Sequence, residues 1–127
     1  MPLVRISLPQ HTLPADVAAV STAVHNALVA TFNVPESDRF QAIHQHSPLQ
    51  LICTPEFLGV QHSQHVVFVQ ICCSPGRTIE VKKALYAKIA ADVGLTSSFK
   101  TNDVIINLLE TSRENWSFGQ GIAQYAV

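Results

Sequence analysis

The chain is expected to fold as an α+β domain in which duplicated β-α-β units form a four-stranded mixed sheet with two helices on one face. Three observations predict this. The apolar residues switch from a period of two to one of three or four and back again, and they do so twice in the same order. Acidic residues fall at similar offsets in the two halves, with Asp16 and Glu80 opening the helices and Asp38 and Asp103 preceding the second strands. At 127 residues, 47% hydrophobic and 13% charged, the chain has material for one core and less charge than a free-standing surface usually carries. A single domain is therefore expected over 1–127, with pseudo-repeats at about 1–48 and 65–112.

In the first unit, Val4, Ile6 and Leu8 alternate with Leu3, Arg5 and Ser7, as in a strand with one apolar face. Thr12 is the expected N-cap of a helix with Pro14 in its first turn. Val17, Val20, Val24, Leu28 and Phe32 then recur at helical spacing. Asn33 can take the left-handed conformation that ends a helix, and Pro35 blocks its continuation. A second strand is expected from near Arg39 through Phe40, Ala42 and Ile43. Residues 49–64 read as a short strand and an exposed loop.

The second unit repeats the order. His65–Cys73 is a β-branched apolar run that suits a central strand, and Ser74, Pro75 and Gly76 make a turn. Thr78 and Glu80 open a helix with Val81, Leu85, Ile89 and Val93 on one face, Lys82, Lys83 and Lys88 solvated, and Gly94 at its end. Asn102–Glu110 is the next strand, and the tail with Gly119 and Gly121 is expected to form an edge hairpin that docks on a neighbour. Right-handed crossovers place both helices on one sheet face. The opposite face then needs cover, and self-association around a symmetry axis is the economical way to supply it.

A net charge of -1, with no basic run, gives no broad attraction to nucleic acid or anionic lipid. No apolar stretch is expected to reach the roughly 20 residues of a membrane span, and MPLVRISLPQ does not read as a signal peptide. Cys53, Cys72 and Cys73 are odd in number, which suits reduced thiols in a cytoplasmic protein. His44 and His46 share a strand face and His62 and His65 follow, but no carboxylate or cysteine falls at ligand spacing, so neither a metal nor any other cofactor is expected.

The chemical signal is positional. Met1-Pro2 is a good substrate for removal of the initiator methionine, which would leave a secondary amine at the head of a strand. Burial beside apolar walls and a guanidinium would destabilise its cation and lower its pKa. A shift of two or three units, about 3–4 kcal/mol, would leave a base poised near neutrality.

The opening MPLVRISL, the segment NVPESDRFQAI, the turn SPGRT and the tail ENWSFGQGIAQY resemble the tautomerase superfamily, most of all its malonate semialdehyde decarboxylase-like branch. The resemblance covers nearly the whole chain. It implies a tautomerase/MIF-like fold, a homotrimer, and a site built from an amino-terminal proline, an aspartate after the first helix and two arginines in the turn before the second helix. Those positions fall on Pro2, Asp38 and Arg77; Pro75 stands where the branch has its first arginine, which weakens the expectation of decarboxylase activity.

Arg77, at a helix entry, is suited to hold a carboxylate in two parallel hydrogen bonds, or simply to be solvated in a turn. Asp38 could orient a water or accept a proton, or close the helix exit as an Asx turn. Trp116 and Phe118 could wall the amine and pack a substrate's apolar end, or pack a core or interface. The expected function is keto–enol tautomerisation of a small 2-oxo or enol carboxylic acid. The alternatives are hydration or decarboxylation of a 3-oxo acid, a non-catalytic binding module on the same fold, and a ferredoxin-like ligand-sensing domain.

Overall fold

The structure, a computed structural model, describes residues 1–126; Val127, the last residue of the expected domain, lies outside the described residues. In chain order the elements are β1 (Leu3–Pro9), α1 (Pro14–Phe32), β2 (Gln41–His46), β3 (Glu56–Phe57), β4 (Val60–Gln61), β5 (Val67–Cys73), α2 (Ile79–Thr96) and β6 (Val104–Glu110). Short 3-10 turns occupy Thr101–Asp103 and Arg113–Asn115. β1 pairs parallel with β2 and β5 parallel with β6, while β1 and β5 are antiparallel, so the sheet is mixed with order β2-β1-β5-β6.

The period-two pattern sorts the strand residues between two faces. Val4, Ile6 and Leu8 of β1 and Val67, Val69, Ile71 and Cys73 of β5 are buried with Val20, Val24 and Leu28 of α1 and Leu85, Ile89 and Val93 of α2 in one core. Each such aliphatic side chain contributes about 2 kcal/mol on burial, which makes this layer the main stabilising term. The other face carries Leu3, 37% exposed, and Leu109, 47% exposed, with Arg5 and Gln70 between them. Among the described residues no helix packs on it.

Local chemistry sets the helix ends, not always as expected. Asn33 is left-handed (φ 56°) and its N–H donates to the Leu28 carbonyl, closing α1. Thr12 is not the N-cap: its hydroxyl donates to the Pro9 carbonyl at 2.7 Å, and Leu13 takes the cap position without a side-chain bond. Thr78 does cap α2, its Oγ1 accepting from the Val81 N–H at 3.2 Å. Gly94 does not end α2, which continues to Thr96. A Cβ there would meet Thr101 Cγ2 at 2.9 Å, so glycine makes room for the close approach of Thr101.

Three further expectations need correction. β5 begins at Val67 and β6 at Val104, two residues later than the sequence suggested. The reason is a tie outside the ladder: the buried Asp103 carboxylate accepts from the Ser63 N–H (2.8 Å) and hydroxyl (2.6 Å). The tail forms no hairpin; among the described residues after Glu110 the only regular piece is the 3-10 turn. Finally, α1, 19 residues long, is long and apolar enough for a membrane span by length and composition. Its apolar length is used here for packing, with Val20, Val24 and Leu28 at or below 1% exposure against the sheet. Residues 49–64 hold the β3–β4 hairpin, whose two-residue turn puts Leu58 (φ 50°) and Gly59 (φ 83°) in left-handed conformations.

Asp103→Ala removes both bonds to Ser63 and is expected to lower stability by about 3 kcal/mol, read as a fall in the urea midpoint at unchanged slope.

Candidate active site

The start of β1 lies at one end of the sheet, and the registers decide what surrounds it. Leu3 faces Cys72 across the antiparallel ladder, so one further step sets Pro2 opposite Cys73. On the parallel side Val4 pairs with Gln41, and its N–H reaches the Phe40 carbonyl at 3.0 Å, so the same extension sets Pro2 beside Arg39. Cys73 pairs in turn with Glu110. Arg39, Pro2, Cys73 and Glu110 thus make a row across all four strands on the helix-covered face. Pro2 and Cys73 are buried within it.

Arg77 stands at the same end. Its Nη1 donates to the Ser74 carbonyl at 3.1 Å and its Nη2 to the Phe32 carbonyl at 3.2 Å, and its guanidinium carbon lies 4.3 Å above the centre of the Phe32 ring. Phe32 is the last residue of α1, so this carbonyl belongs to the negative end of the helix dipole. Arg77 is therefore neither freely solvated nor fully committed: two of a guanidinium's five N–H groups are used and the others remain for an anion. Gly76 (φ 117°) supplies the positive φ that turns the chain into this position.

The Cys73 thiol records the local field. Burial raises its pKa; the Arg77 guanidinium and the amino-terminal charge pull it down, and Glu110 and Cys72 push it up. The chain terminus, Arg77 and Glu110 therefore all act on one point beside Pro2. Glu110 is paired with Lys82 at 3.1 Å.

Asp38 sits in the loop between α1 and β2. Buried His25 holds that loop through a 2.8 Å bond from its Nε2 to the Glu36 carbonyl, and the Asp38 N–H donates to the Pro35 carbonyl at 2.9 Å. Arg39 Nη2 donates to the Ser21 hydroxyl at 2.8 Å, and that hydroxyl also meets the Gln41 side chain. These bonds fix the backbone while leaving Asp38 Oδ1 buried with no hydrogen-bond partner. A buried carboxylate oxygen without a donor is costly unless a ligand or water supplies one.

Trp116 and Phe118 stack at 5.4 Å and 11°, and Phe118 also meets Phe40 at 6.0 Å and Tyr125 at 4.9 Å. The tail thus meets Phe40 of its own protomer, two residues after Asp38. Trp116 Nε1 is buried and unpartnered, like Asp38 Oδ1. The register thus gathers Pro2, Arg77 and Asp38 at one end of the sheet, and the aromatic pair joins them through Phe40. Phe32, Phe40, Cys73 and Glu110 escaped sequence reasoning as site neighbours. Strand offsets, which no local pattern encodes, would have found Phe40, Cys73 and Glu110, and Phe32 comes in only through its contacts with Arg77.

Two β-α-β units joined into one mixed four-stranded sheet define the class: an α+β fold built from a duplicated unit. Family models described as "Tautomerase enzyme" match residues 38–119 and 2–61. The chain belongs to the tautomerase family. It is 33% identical to "Probable tautomerase YusQ" of Bacillus subtilis (strain 168) over 98% of both chains. It is 29% identical to "Probable tautomerase YrdN" of the same organism, over 98% of this chain and 96% of that one. Among solved structures it resembles FG41 malonate semialdehyde decarboxylase inhibited by 3-bromopropiolate, with a TM-score of 0.89 and 36% identity over 97% of this chain and 93% of that one. A second malonate semialdehyde decarboxylase, described with decarboxylase and hydratase activities, gives a TM-score of 0.88 at 31% identity over 97% of this chain and 95% of that one. The fold is thus the tautomerase/MIF-like one, and the chain is of an isomerase-type enzyme family.

Arg77→Lys loses the flat guanidinium over Phe32 and one of the two carbonyl bonds. It is expected to lower stability by about 1 kcal/mol, measurable by denaturant melts without any substrate.

Proposed function

We propose that the chain is a keto–enol tautomerase that uses the amine of Pro2, freed by removal of Met1, on a small 2-oxo or enol carboxylic acid. The observation that carries this reading is the burial of Pro2 in a row with Cys73, under the field of Arg77. While Met1 is attached, the Pro2 nitrogen is an amide and has no proton to exchange. Once freed it becomes a secondary amine, and its apolar surroundings and the nearby guanidinium both favour the neutral form.

In the proposed cycle the uncommitted N–H groups of Arg77 hold the substrate carboxylate. The neutral amine takes the proton from the enol hydroxyl or the α-carbon and returns it at the other position. Trp116 and Phe118 exclude water and pack the apolar end of the substrate. No cofactor takes part. The open sheet face, with Leu3 and Leu109 exposed, fits assembly as a homotrimer, the state in which the fused 4-OT of the same fold is described. A cytoplasmic setting would keep the three thiols reduced.

A second reading rests on Asp38, whose buried Oδ1 has no partner. It could orient a water while a protonated Pro2 polarises a carbonyl, giving hydration or decarboxylation of a 3-oxo acid. Pro75, in place of a second arginine in the turn, weighs against it. A binding module on the same fold would need neither the free amine nor Asp38.

Intact mass of cell-derived protein is expected to show loss of one methionine; full retention of Met1 sinks the mechanism. With phenylenolpyruvate as substrate, Pro2→Ala is expected to lower kcat by about a hundredfold or more. Activity is expected to rise with pH through the amine's titration, as a base requires, whereas an acid mechanism gives the opposite slope. Asp38→Asn should spare tautomerisation and abolish any hydration of a 3-oxo acid.

A further inference from the structure

At the other end of the sheet, beyond the last residues of β1 and β2, lies a cavity of about 290 Å³. The seven residues of β1 separate it from Pro2 by about 20 Å. Pro9, Leu51, Ile52 and Val66 give it an apolar wall, and His11 and His46 stand among its polar lining. No Asp, Glu, Lys or Arg lines it, so imidazoles are its principal means of carrying charge.

His11 is not a free side chain. Its Nε2 lies 3.3 Å from Nδ1 of His65, the rings stacking at 5.2 Å. His65 Nε2 lies 3.1 Å from the Ser98 hydroxyl, and that hydroxyl meets the Asp16 carboxylate, which also accepts the Ser98 N–H at 3.3 Å. A carboxylate only accepts, so the Ser98 hydroxyl donates to Asp16, and the direction of every other bond follows. His65 Nε2–H donates to Ser98, and His65 Nδ1 is left as the acceptor of His11 Nε2–H. Neutral His11 then carries its lone pair on Nδ1, the nitrogen left available to a ligand. Burial lowers the pKa of His65, which favours its neutral form, with the charge of His11 acting in the same sense and Asp16 and Asp103 against it. Across the cavity His46 has its Nε2 buried without a partner, and Cys53 is the remaining titratable lining group.

We propose that this cavity is a second ligand site, for a small organic acid with a flat apolar body, and that His11 takes up one proton when the acid binds. The carboxylate meets the Nδ1–H of the resulting imidazolium, the apolar body lies against Leu51 and Ile52, and a small turn of the His46 ring offers the second polar contact. The proton comes from solvent: neutral His11, carboxylate anion and one proton give an imidazolium–carboxylate pair. Held by His65, Ser98 and Asp16, the ring is oriented before the ligand arrives, and the positive charge is stabilised at the head of a chain that ends on a carboxylate. The site stands apart from the chemistry at Pro2, and its occupancy gives the fold a means of sensing acid concentration and pH together.

Benzoate is the probe, titrated into the full protein to about 10 mM. The ring resonances of His11 and His46 are expected to shift saturably, with half-saturation near 1 mM. The same shifts are expected in Pro2→Ala, which separates this cavity from the active-site reading. Calorimetry on Pro2→Ala, in two buffers of different ionisation enthalpy, is expected to show net proton uptake on benzoate binding, with affinity rising as pH falls. His11→Asn should abolish the uptake, and Ile52→Trp, which fills the cavity from an exposed loop, should abolish the shifts while leaving the thermal midpoint near its starting value. Shifts confined to residues around Arg77, binding without proton uptake, shifts that persist in Ile52→Trp, or a neighbouring subunit's side chain in the cavity of the assembled protein would each overturn the proposal.

Discussion

The antiparallel pairing of β1 with β5 is the constraint on which the rest of this molecule depends. Each half of the chain can make its own parallel pair with a helical crossover, but half a sheet with one helix cannot bury its apolar face alone. The seam from Leu3–Cys72 to Ser7–Phe68 joins the two pairs and closes the core between α1 and α2. It also sets the head of β1 against the tail of β5. A slip of one residue would turn Val4, Ile6 and Leu8 to the open face and take Pro2 out of its buried place. Core packing and the geometry around Pro2 are thus consequences of one hydrogen-bond register.

At the Pro2 end the same groups hold the structure and set its electrostatics. Arg77 joins the turn before α2 to the last carbonyl of α1 and stacks on Phe32, so it ties the two β-α-β units together from the helix side as the β1–β5 seam does from the sheet. Its remaining N–H groups give that end a fixed positive potential, while the Lys82–Glu110 pair keeps the neighbouring carboxylate largely compensated. Two buried polar atoms without partners, Asp38 Oδ1 and Trp116 Nε1, flank the aromatic cluster on Phe40. Unmet polar groups of this kind destabilise a fold unless a bound species completes them.

The opposite end is built differently, from imidazoles in a hydrogen-bonded line running from His11 to Asp16 with no guanidinium near. His65 also lies flat on Phe99, with ring centres 4.1 Å apart, which links the entry of β5 to the loop leaving α2. One end of the sheet therefore carries a guanidinium, and the other a line of imidazoles that ends on the Asp16 carboxylate.

Much of this was legible in the residues themselves. Alternation in β1 and the helical spacing of Val20, Val24 and Leu28 identified elements and faces. Asn33 and Thr78 marked helix ends, because capping is a property of a few neighbouring atoms. Gly94 and Thr12 misled for the converse reason: Gly94 answers to Thr101 of another segment, and Thr12 bonds back to Pro9. The tail with its two glycines looked like a hairpin, yet its aromatics found Phe40 of the same protomer. Sequence by itself determined the elements and their buried faces, since periodicity and capping are short-range. Only the tertiary structure decided that Pro2 stands in a row with Cys73 and Glu110, because strand register is set by hydrogen bonds between residues some seventy positions apart, and no local pattern carries that information.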